Sequence, residues 1–334
     1  MLNKIYVRVK DFFVINWKFL IFLLFVYLLF FVELPYVIYA PGGSIDLSDR
    51  IVVEGGYESE GRLEMAYVSM VRGSIPFIAL SYVIPNWDLT PKEEITYENE
   101  SIAEMMERDK IYLQESIDNA TIAAFSLTNH EIKIKKTINH VAYIDSKADT
   151  NLKIGDDLQK VNGVEIASLD EFKDIIQAGK IDDVLTLTVI RNGKEKDCTI
   201  KIYDTDDGLK AGISIITTYE YETIPKLSIS SKSSESGPSG GMMLALGIYD
   251  ALTEDDLTRG RIIIGTGTIT RDGVVGQIGG VKYKLIGAVK NKADIFICPI
   301  ENLEEALEVK EKNKYNIKII GVGSLSDAIR ELQR

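Results

Sequence analysis

The chain has 334 residues, 46% of them hydrophobic, with 50 acidic against 38 basic side chains and a formal charge of −12. That length holds two or three domains of about 100 to 200 residues each, and the acidic balance argues against a nucleic-acid partner held through phosphates. The two cysteines, Cys198 and Cys298, lie far apart and imply neither a disulfide framework nor a metal site.

Charge is unevenly placed. Lys4, Arg8, Lys10 and Lys18 stand against Asp11 in residues 1–18, a surplus of +3, so the remainder sums to −15. The apolar residues Phe19 to Val32 follow, and a transmembrane anchor over residues 17–38 has about 20 positions, enough to cross a bilayer. Cationic flanks stay inside, so residues 1–16 are expected to be cytoplasmic and the acidic body extracellular, a single-pass arrangement in the cell membrane. A cleaved signal peptide is the alternative. Against it, the run exceeds the usual apolar core of about 7 to 15 residues, and Ala40 offers a cleavage site only with Ile38 at the minus-three position relative to the cut. Glu33 and Pro35 fall at the outer headgroup level, and Trp17, Tyr36 and Tyr39 suit an interface.

After the turn-rich Pro41-Gly42-Gly43-Ser44, residues 50–54 and 62–70 read as strands. Ser101 to Ser126 reads as a helix: Ile102, Met105, Ile111, Ile117, Ala120 and Ala124 recur on a helical period behind a Ser101/Glu104 capping box. Its apolar stripe is expected to be a packed face, and residues 41–130 make a juxtamembrane α+β region. In residues 131–204 come a strand at Val141 to Ile144, the turn Leu152-Lys153-Ile154-Gly155-Asp156, the turn Asn162-Gly163, a helix from Leu169 to Ala178, and two strands joined by Asn192-Gly193. This order resembles a PDZ domain of the bacterial protease type. The resemblance implies a small β-barrel with a helix on its edge, and a groove where an extended peptide adds as a strand. Val141, Tyr143, Ile144, Phe172 and Ile176 are its expected walls; use of the module only as a spacer is the alternative.

The remaining residues, 205–334, carry the chemistry. Ser236-Gly237-Pro238-Ser239-Gly240-Gly241 leads into Met242 to Leu252, apolar on nearly every face and so expected to be a buried helix. Ser239 then sits at a helix N-terminus, where free N–H groups and the helix dipole can meet a developing oxyanion. A serine hydroxyl needs a base. The only histidines, His130 and His140, lie about a hundred residues earlier and outside any triad setting, so a lysine is the expected base. Gly265-Thr266-Gly267-Thr268-Ile269 and Gly273 to Ile278 read as a hairpin; Gly279-Gly280 then opens a helix at Val281 that carries Lys282 and Lys284.

These four motifs, GPSGG, GTGTI, DGVVGQIGG and KYK, resemble the proteolytic domain of Lon-type proteases. With the anchor and PDZ-like unit before it, the whole chain resembles the membrane-anchored, PDZ-containing Lon-type serine proteases (peptidase family S16) of Gram-positive bacteria. The implied fold class is α+β and multidomain: an N-terminal transmembrane helix, a PDZ-like β-barrel with helix, and a C-terminal Lon-type proteolytic α/β domain. The resemblance puts the nucleophile at Ser239 and the base at Lys284, with Lys282 as the alternative base. Residues two apart on a helix point to different faces, so only one of the lysines can address Ser239. Thr266 is expected to orient the lysine amine, and Gly237, Pro238 and Gly240 to shape the loop around the oxyanion. Gly240 stands where the family has alanine, Gln277 where it has proline, and Ser236 and Glu235 near a family carboxylate.

A lysine base must lose its proton near neutrality. At an ordinary pKa of about 10.4 only about one molecule in 2,500 is neutral, and a depression of about 3 units costs roughly 4 kcal/mol. Ile278, Val281, Leu285 and Ile286 are available as apolar cover. No G-x-x-x-x-G-K-[ST] or H-E-x-x-H sequence occurs, so neither ATP nor a metal nor another cofactor is expected. The expected function is an ATP-independent, membrane-anchored extracellular serine endopeptidase acting on peptides or unfolded proteins, with homo-oligomers as a family implication. The alternative is a membrane-anchored PDZ adaptor that binds peptide through an inactive protease fold.

Overall fold

A computed structural model of the chain describes residues 2–166, 168–206 and 208–334. The backbone divides into two compact units, Met1–Pro41 with Val68–Ile95, and Gly42–Tyr67 with Thr96–Arg334.

In the first unit, helix α1 (Leu2–Phe31) includes Ile5–Phe31, 27 residues whose length and composition suffice to cross a membrane and which the rest of the chain leaves unburied. At 1.5 Å per residue it is about 40 Å long. The helix therefore begins earlier and ends sooner than the span 17–38 read from hydropathy. Pro35 disfavours a helical Leu34, and Val37 and Ile38 instead enter strand β1 (Tyr36–Asp46). Strands β2 (Ile51–Val53) and β3 (Arg62–Arg72), helix α2 (Ile75–Ser81) and strand β4 (Asp88–Pro91) follow. Tyr36 to Tyr39 pair antiparallel with Pro91 to Asp88.

The second unit opens with helix α3 (Ile102–Ser126), whose Ser101 and Glu104 form the expected capping box. Next comes the PDZ-type sheet. It is built from β5 (Glu131–Ile144), β6 (Asp157–Val161) with the short β7 (Val164–Glu165), helix α4 (Leu169–Ala178), β8 (Val184–Arg191) and β9 (Lys194–Lys201). A small hairpin, β10 (Tyr203–Thr205) and β11 (Gly208–Lys210), leads into β12 (Ile213–Ile224), and the sheet order is β12-β5-β6-β8-β9. Val141, Leu158, Val161, Phe172, Leu187 and Ile200 fill its core. Asp156 explains the glycine-aspartate turn: it is 1% exposed, accepts two bonds from Arg191 (2.6 and 2.5 Å), and accepts the Lys153 N–H at 2.8 Å. Burying a carboxylate is tolerable when its oxygens are bonded in this way. Both Asn-Gly pairs have the positive φ that tight hairpin turns need, 50° and 78° at Asn162-Gly163 and 52° and 70° at Asn192-Gly193.

After β13 (Leu227–Ile229), which pairs with β2, the chain enters α5 (Gly241–Leu252), β14 (Ile262–Gly265), the hairpin β15 (Thr268–Ile269) and β16 (Val275–Gly276), and α6 (Val281–Lys290). It ends with β17 (Ile295–Pro299), α7 (Leu303–Asn313), β18 (Lys318–Val322) and α8 (Leu325–Gln333). Strands β18, β17, β14 and β3 run side by side and parallel. The uninterrupted apolar sequences of β14 and β17 fit strands covered on both faces. One core joins Leu47, Leu63, Ile117 and Phe125 to Met243, Leu246, Ile263, Ile297 and Leu325. Residues 42–67 and 96–126, which precede the PDZ sheet, thus share a single core with the residues after it. Strands β5 and β12 leave and re-enter that core as one antiparallel ladder, paired from Ile144 and Ile213 to Glu131 and Ile224.

Helix α5 is buried all round, with Met242, Met243, Ala245, Leu246 and Ile248 at 0% exposure. It packs so closely on the sheet that a Cβ at Gly265 would lie 2.6 Å from Met243 Sδ, and the same Cβ would lie 2.4 Å from Ile297 Cγ2 and 2.7 Å from the Ile297 carbonyl oxygen of the neighbouring β17. Gly265→Ala is expected to lower stability by about 1 to 3 kcal/mol, because the backbone of β17 must move. Gly279→Ala meets nothing within 4 Å and serves as the control in thermal unfolding, where it should leave Tm nearly unchanged.

Candidate active site

Ser239 lies in the turn just before α5, partly exposed, and hydrogen bonds hold the loop on either side of it. The Gly237 N–H donates to the carbonyl of Asp109 on α3 at 2.8 Å, with Gly237 at a φ of 83° that only glycine adopts cheaply. The Pro238 carbonyl accepts from the Gly241 N–H at 3.2 Å and from Ser116 Oγ of α3 at 2.9 Å. The Ser239 carbonyl accepts from the Gly267 N–H at 2.8 Å and from Thr266 Oγ1 at 2.9 Å. Gly237 therefore has no N–H to offer an oxyanion, and Pro238 has none by its chemistry. No backbone hydrogen bond among the described residues takes up the N–H of Ser239 or Gly240, and both lie at the start of α5, where the helix dipole favours negative charge.

Lys284 approaches from the other side. Gly280, at a φ of 70°, opens α6, and the segment before it is clamped by Asn302, which accepts the Ile278 N–H at 2.9 Å and donates to the Ile278 carbonyl at 3.0 Å. Lys284 is 3% exposed, and its Nζ donates to Thr266 Oγ1 at 2.9 Å. Thr266, itself fully buried, thus uses its one hydroxyl proton on the Ser239 carbonyl and a lone pair on the Lys284 amine. Burial pushes the Lys284 pKa down to about 7, and Ile278, Val281, Leu285 and Ile286 are all buried around it in sequence. Lys282 is half-buried, and its ammonium sits 5.2 Å from the centroid of the Tyr283 ring.

The structure thus brings Ser239, Thr266, Lys284, Gly240, Gly237 and Pro238 into one site. It also adds residues that sequence reading did not single out. Ser116 and Asp109 hold the nucleophile loop from α3, a helix read only as a packed face, more than a hundred residues away in sequence. Met65 of β3 fills the space beside Gly240, where a Cβ would stand 2.8 Å from its Sδ. An alanine there needs only that flexible thioether to move. Glu235 is ion-paired with Arg50 at 2.5 Å. His140 is satisfied by Thr218 Oγ1 at 2.8 Å and Asp157 at 2.5 Å, both within the β5–β12 region and its neighbour β6.

Of the expected groove residues, Val141 and Phe172 are packed in the core of the PDZ sheet. The open cleft runs instead between α4 and the start of β12, walled by Tyr143, Lys173, Ile176, Gln177, Ile213 and Ser214. Strand β12 is the edge of its sheet, so its start offers the unpaired backbone that Val141 cannot. Among the described residues no cluster of three or more His, Cys, Asp or Glu side chains is arranged to hold a metal ion.

Residues 228–333 match the family described as the Lon protease (S16) C-terminal proteolytic domain, and residues 116–202 match the PDZ domain family. Among curated relatives, the Lon protease of Aster yellows witches'-broom phytoplasma is 32% identical over 96 residues, 29% of this chain and 12% of that protein. The Lon protease of Chloroflexus aggregans is 33% identical over 93 residues, 28% of this chain and 11% of that protein. That of Azospirillum brasilense is 26% identical over 167 residues, 50% of this chain and 19% of that protein. The chain therefore spans less than a fifth of the length of these relatives. The PDZ domain of the SdrC-like protein of Listeria monocytogenes is 22% identical and covers 25% of this chain and 93% of its own, with a TM-score of 0.23. The chain thus carries a proteolytic domain of the Lon (S16) type over residues 228–333 and a PDZ domain over residues 116–202, ahead of it.

Proposed function

We propose that the chain is a serine endopeptidase that works without ATP, with Ser239 as nucleophile and Lys284 as general base, anchored to a membrane by α1. The observation that carries this reading is the bond chain from the Lys284 amine through the Thr266 hydroxyl to the Ser239 carbonyl. A buried lysine with a pKa near 7 is a base matched to neutral pH. A role as an inactive adaptor gives no reason to bury that amine.

The reaction follows from the groups in place. The neutral Lys284 amine takes the Ser239 hydroxyl proton as Oγ attacks the peptide carbonyl. The N–H groups of Ser239 and Gly240 are the donors open to the tetrahedral oxyanion. On collapse the C–N bond breaks, and the departing amine takes the proton from the Lys284 ammonium. Water then attacks the acyl-enzyme, giving its proton to Lys284, and the ester bond breaks as Ser239 Oγ recovers a proton. Thr266 positions the amine so that its lone pair is not spent on the wrong partner.

Two further parts complete the proposal. An extended peptide adds to the free edge at the start of β12, beside α4, and so recruits substrate. Helix α1 crosses the membrane with its basic end inside, placing the catalytic residues on the extracellular side. No P-loop sequence occurs in these residues, so exposed or unfolded segments are the fitting substrates. The recognition unit then runs from β5 through β12, past the boundary at 204/205, and the proteolytic core draws on residues from both sides of the PDZ sheet.

Ser239→Ala and Lys284→Ala are each expected to lower kcat/KM on a cleavable peptide by about a thousandfold or more, and Thr266→Val by a smaller factor. Wild type should acylate with a serine-directed covalent inhibitor; an adaptor would bind peptide and take no label. The rate should climb with pH through about 7 and then level off, because only the neutral amine is a base. A flat profile from pH 6 to 9 would remove Lys284 from the role.

Burial of the amine also sets a stability signature. Between about 7 and the unfolded value of 10.5, the unfolded chain holds a proton that the folded chain lacks, so stability rises with pH across that window. Below about 7 the full cost is present, of order 5 kcal/mol for the shift from 10.5 to about 7. Lys284→Met should therefore raise Tm at pH 6 and raise it less at pH 9, while abolishing cleavage. An equal Tm change at both pH values would show that the amine is not desolvated.

A further inference from the structure

We propose that residues 73–87 form a second membrane contact, dipping into the lipid leaflet at which α1 ends. This rests on the reading of α1 as a membrane span. From Gly73 to Trp87 the chain carries no charged residue, although Arg72 and Asp88 bound it on either side. In that stretch Ile75, Phe77 and Leu80 of α2 are exposed, and at its tip Tyr82 and Val83 are 80% and 77% exposed. A soluble surface rarely gathers so many large apolar side chains in one place without a partner.

Continuity with α1 identifies that partner. Both ends of the excursion are fastened to the residues that leave the helix. The Leu34 N–H donates to the Gly73 carbonyl at 2.8 Å, and the Gly73 N–H to the Tyr36 carbonyl at 3.0 Å. On the return, β4 pairs with Tyr36 to Tyr39, and the Lys92 N–H donates to the Pro35 carbonyl at 3.1 Å. Helix α2 lies beside α1. The segment therefore starts and finishes at the level where α1 meets the headgroups, and its own apolar side chains have hydrocarbon within reach.

Charge is arranged to match. Glu33, two residues beyond α1, is ion-paired with Arg72 at 2.6 Å and with Lys92 at 3.7 Å. Those three charges mark the polar boundary, and the uncharged segment departs from it. With no charge of its own, the segment needs no anionic lipid, which separates it from a basic surface that binds by electrostatics. Tyr82 and Trp87 are the residue types that settle at such an interface.

The test uses the full chain reconstituted in phosphatidylcholine vesicles. Cys198 and Cys298 are buried, so Val83→Cys or Tyr82→Cys takes an environment-sensitive fluorophore at one exposed position. The expected result is a blue-shifted emission that brominated lipids quench and aqueous iodide does not, unchanged when an anionic lipid is added. Iodide quenching with no effect of brominated lipid, on chain that alkaline carbonate fails to extract, overturns the proposal while leaving the anchor in place. A label shielded from both quenchers overturns it in favour of a protein contact. Extraction by carbonate removes the anchor reading and this contact with it.

Discussion

A lysine amine held out of water is the constraint around which the catalytic region is arranged. In a protein interior the ammonium form is disfavoured, and the depression of Lys284 to about 7 has burial as its cause, with no neighbouring cation needed. To keep that amine dry the chain commits the parallel sheet, α6 and the clamp of Asn302 on Ile278. The neutral amine then requires a polar partner, and Thr266 supplies it at 2.9 Å from inside the same core. Because Thr266 also binds the carbonyl of Ser239, the group that orients the amine also holds the Ser239 loop. Burial and geometry are thus one device: a dry setting favours the neutral amine, and the hydrogen bond to Thr266 orients it.

The nucleophile loop obeys the complementary rule. Every carbonyl from Asp109, Pro238 and Ser239 that faces it has a donor, and the N–H groups of Ser239 and Gly240 are left open at the start of a helix. Ser239 and Gly240 are partly exposed, so water can meet these donors in the free chain, and an oxyanion can take its place. The tight glycine positions follow from the same packing. Gly241 has Ser116 Oγ 2.5 Å from where a Cβ would stand, so α3 can come close enough to bond Pro238 only because that side chain is missing.

How much of this could be read from the sequence divides along lines of physical range. Features set by neighbours in the chain were legible: the capping box at Ser101, the Asn-Gly turns, the all-apolar α5 and the glycine pair that opens α6. Ser239 and Lys284 were also nameable, because their motifs carry local backbone needs along with chemistry. What escaped was set by distant segments. Ser116 and Asp109 look like ordinary helix residues until α3 packs on α5. The groove was only partly legible for a related reason: Tyr143 and Ile176 line the cleft, whereas Val141 and Phe172 lie in the core. Val141 belongs to a strand with neighbours on both sides, and only the sheet order reveals that β12, seventy residues later, is the edge with room for a peptide. The extent of α1 was misjudged because hydropathy does not see Pro35, or the bonds that Leu34 and Tyr36 make to Gly73.

On the proposed reading, the same edge strand ties recognition to catalysis. Strand β12 walls the cleft at Ile213 and Ser214 and, five residues on, donates its Tyr219 N–H to Asp118 of α3 at 2.7 Å. Asp118 is fully buried, takes a second bond from Gln114 at 2.8 Å, and burial pushes its pKa up to about 6. Two residues before it on the same helix, Ser116 holds the carbonyl of Pro238, the residue next to Ser239. A peptide docked on the β12 edge therefore lies on a strand whose far end is fastened to the helix that fastens the nucleophile loop. Tilting β12 without moving α3 would break the bond to Asp118 and leave a buried carboxylate short of a donor, which is expensive in the interior. The ladder and α3 are consequently best regarded as one stiff lever, and the distance from groove to serine is set by backbone pairing instead of by a flexible linker.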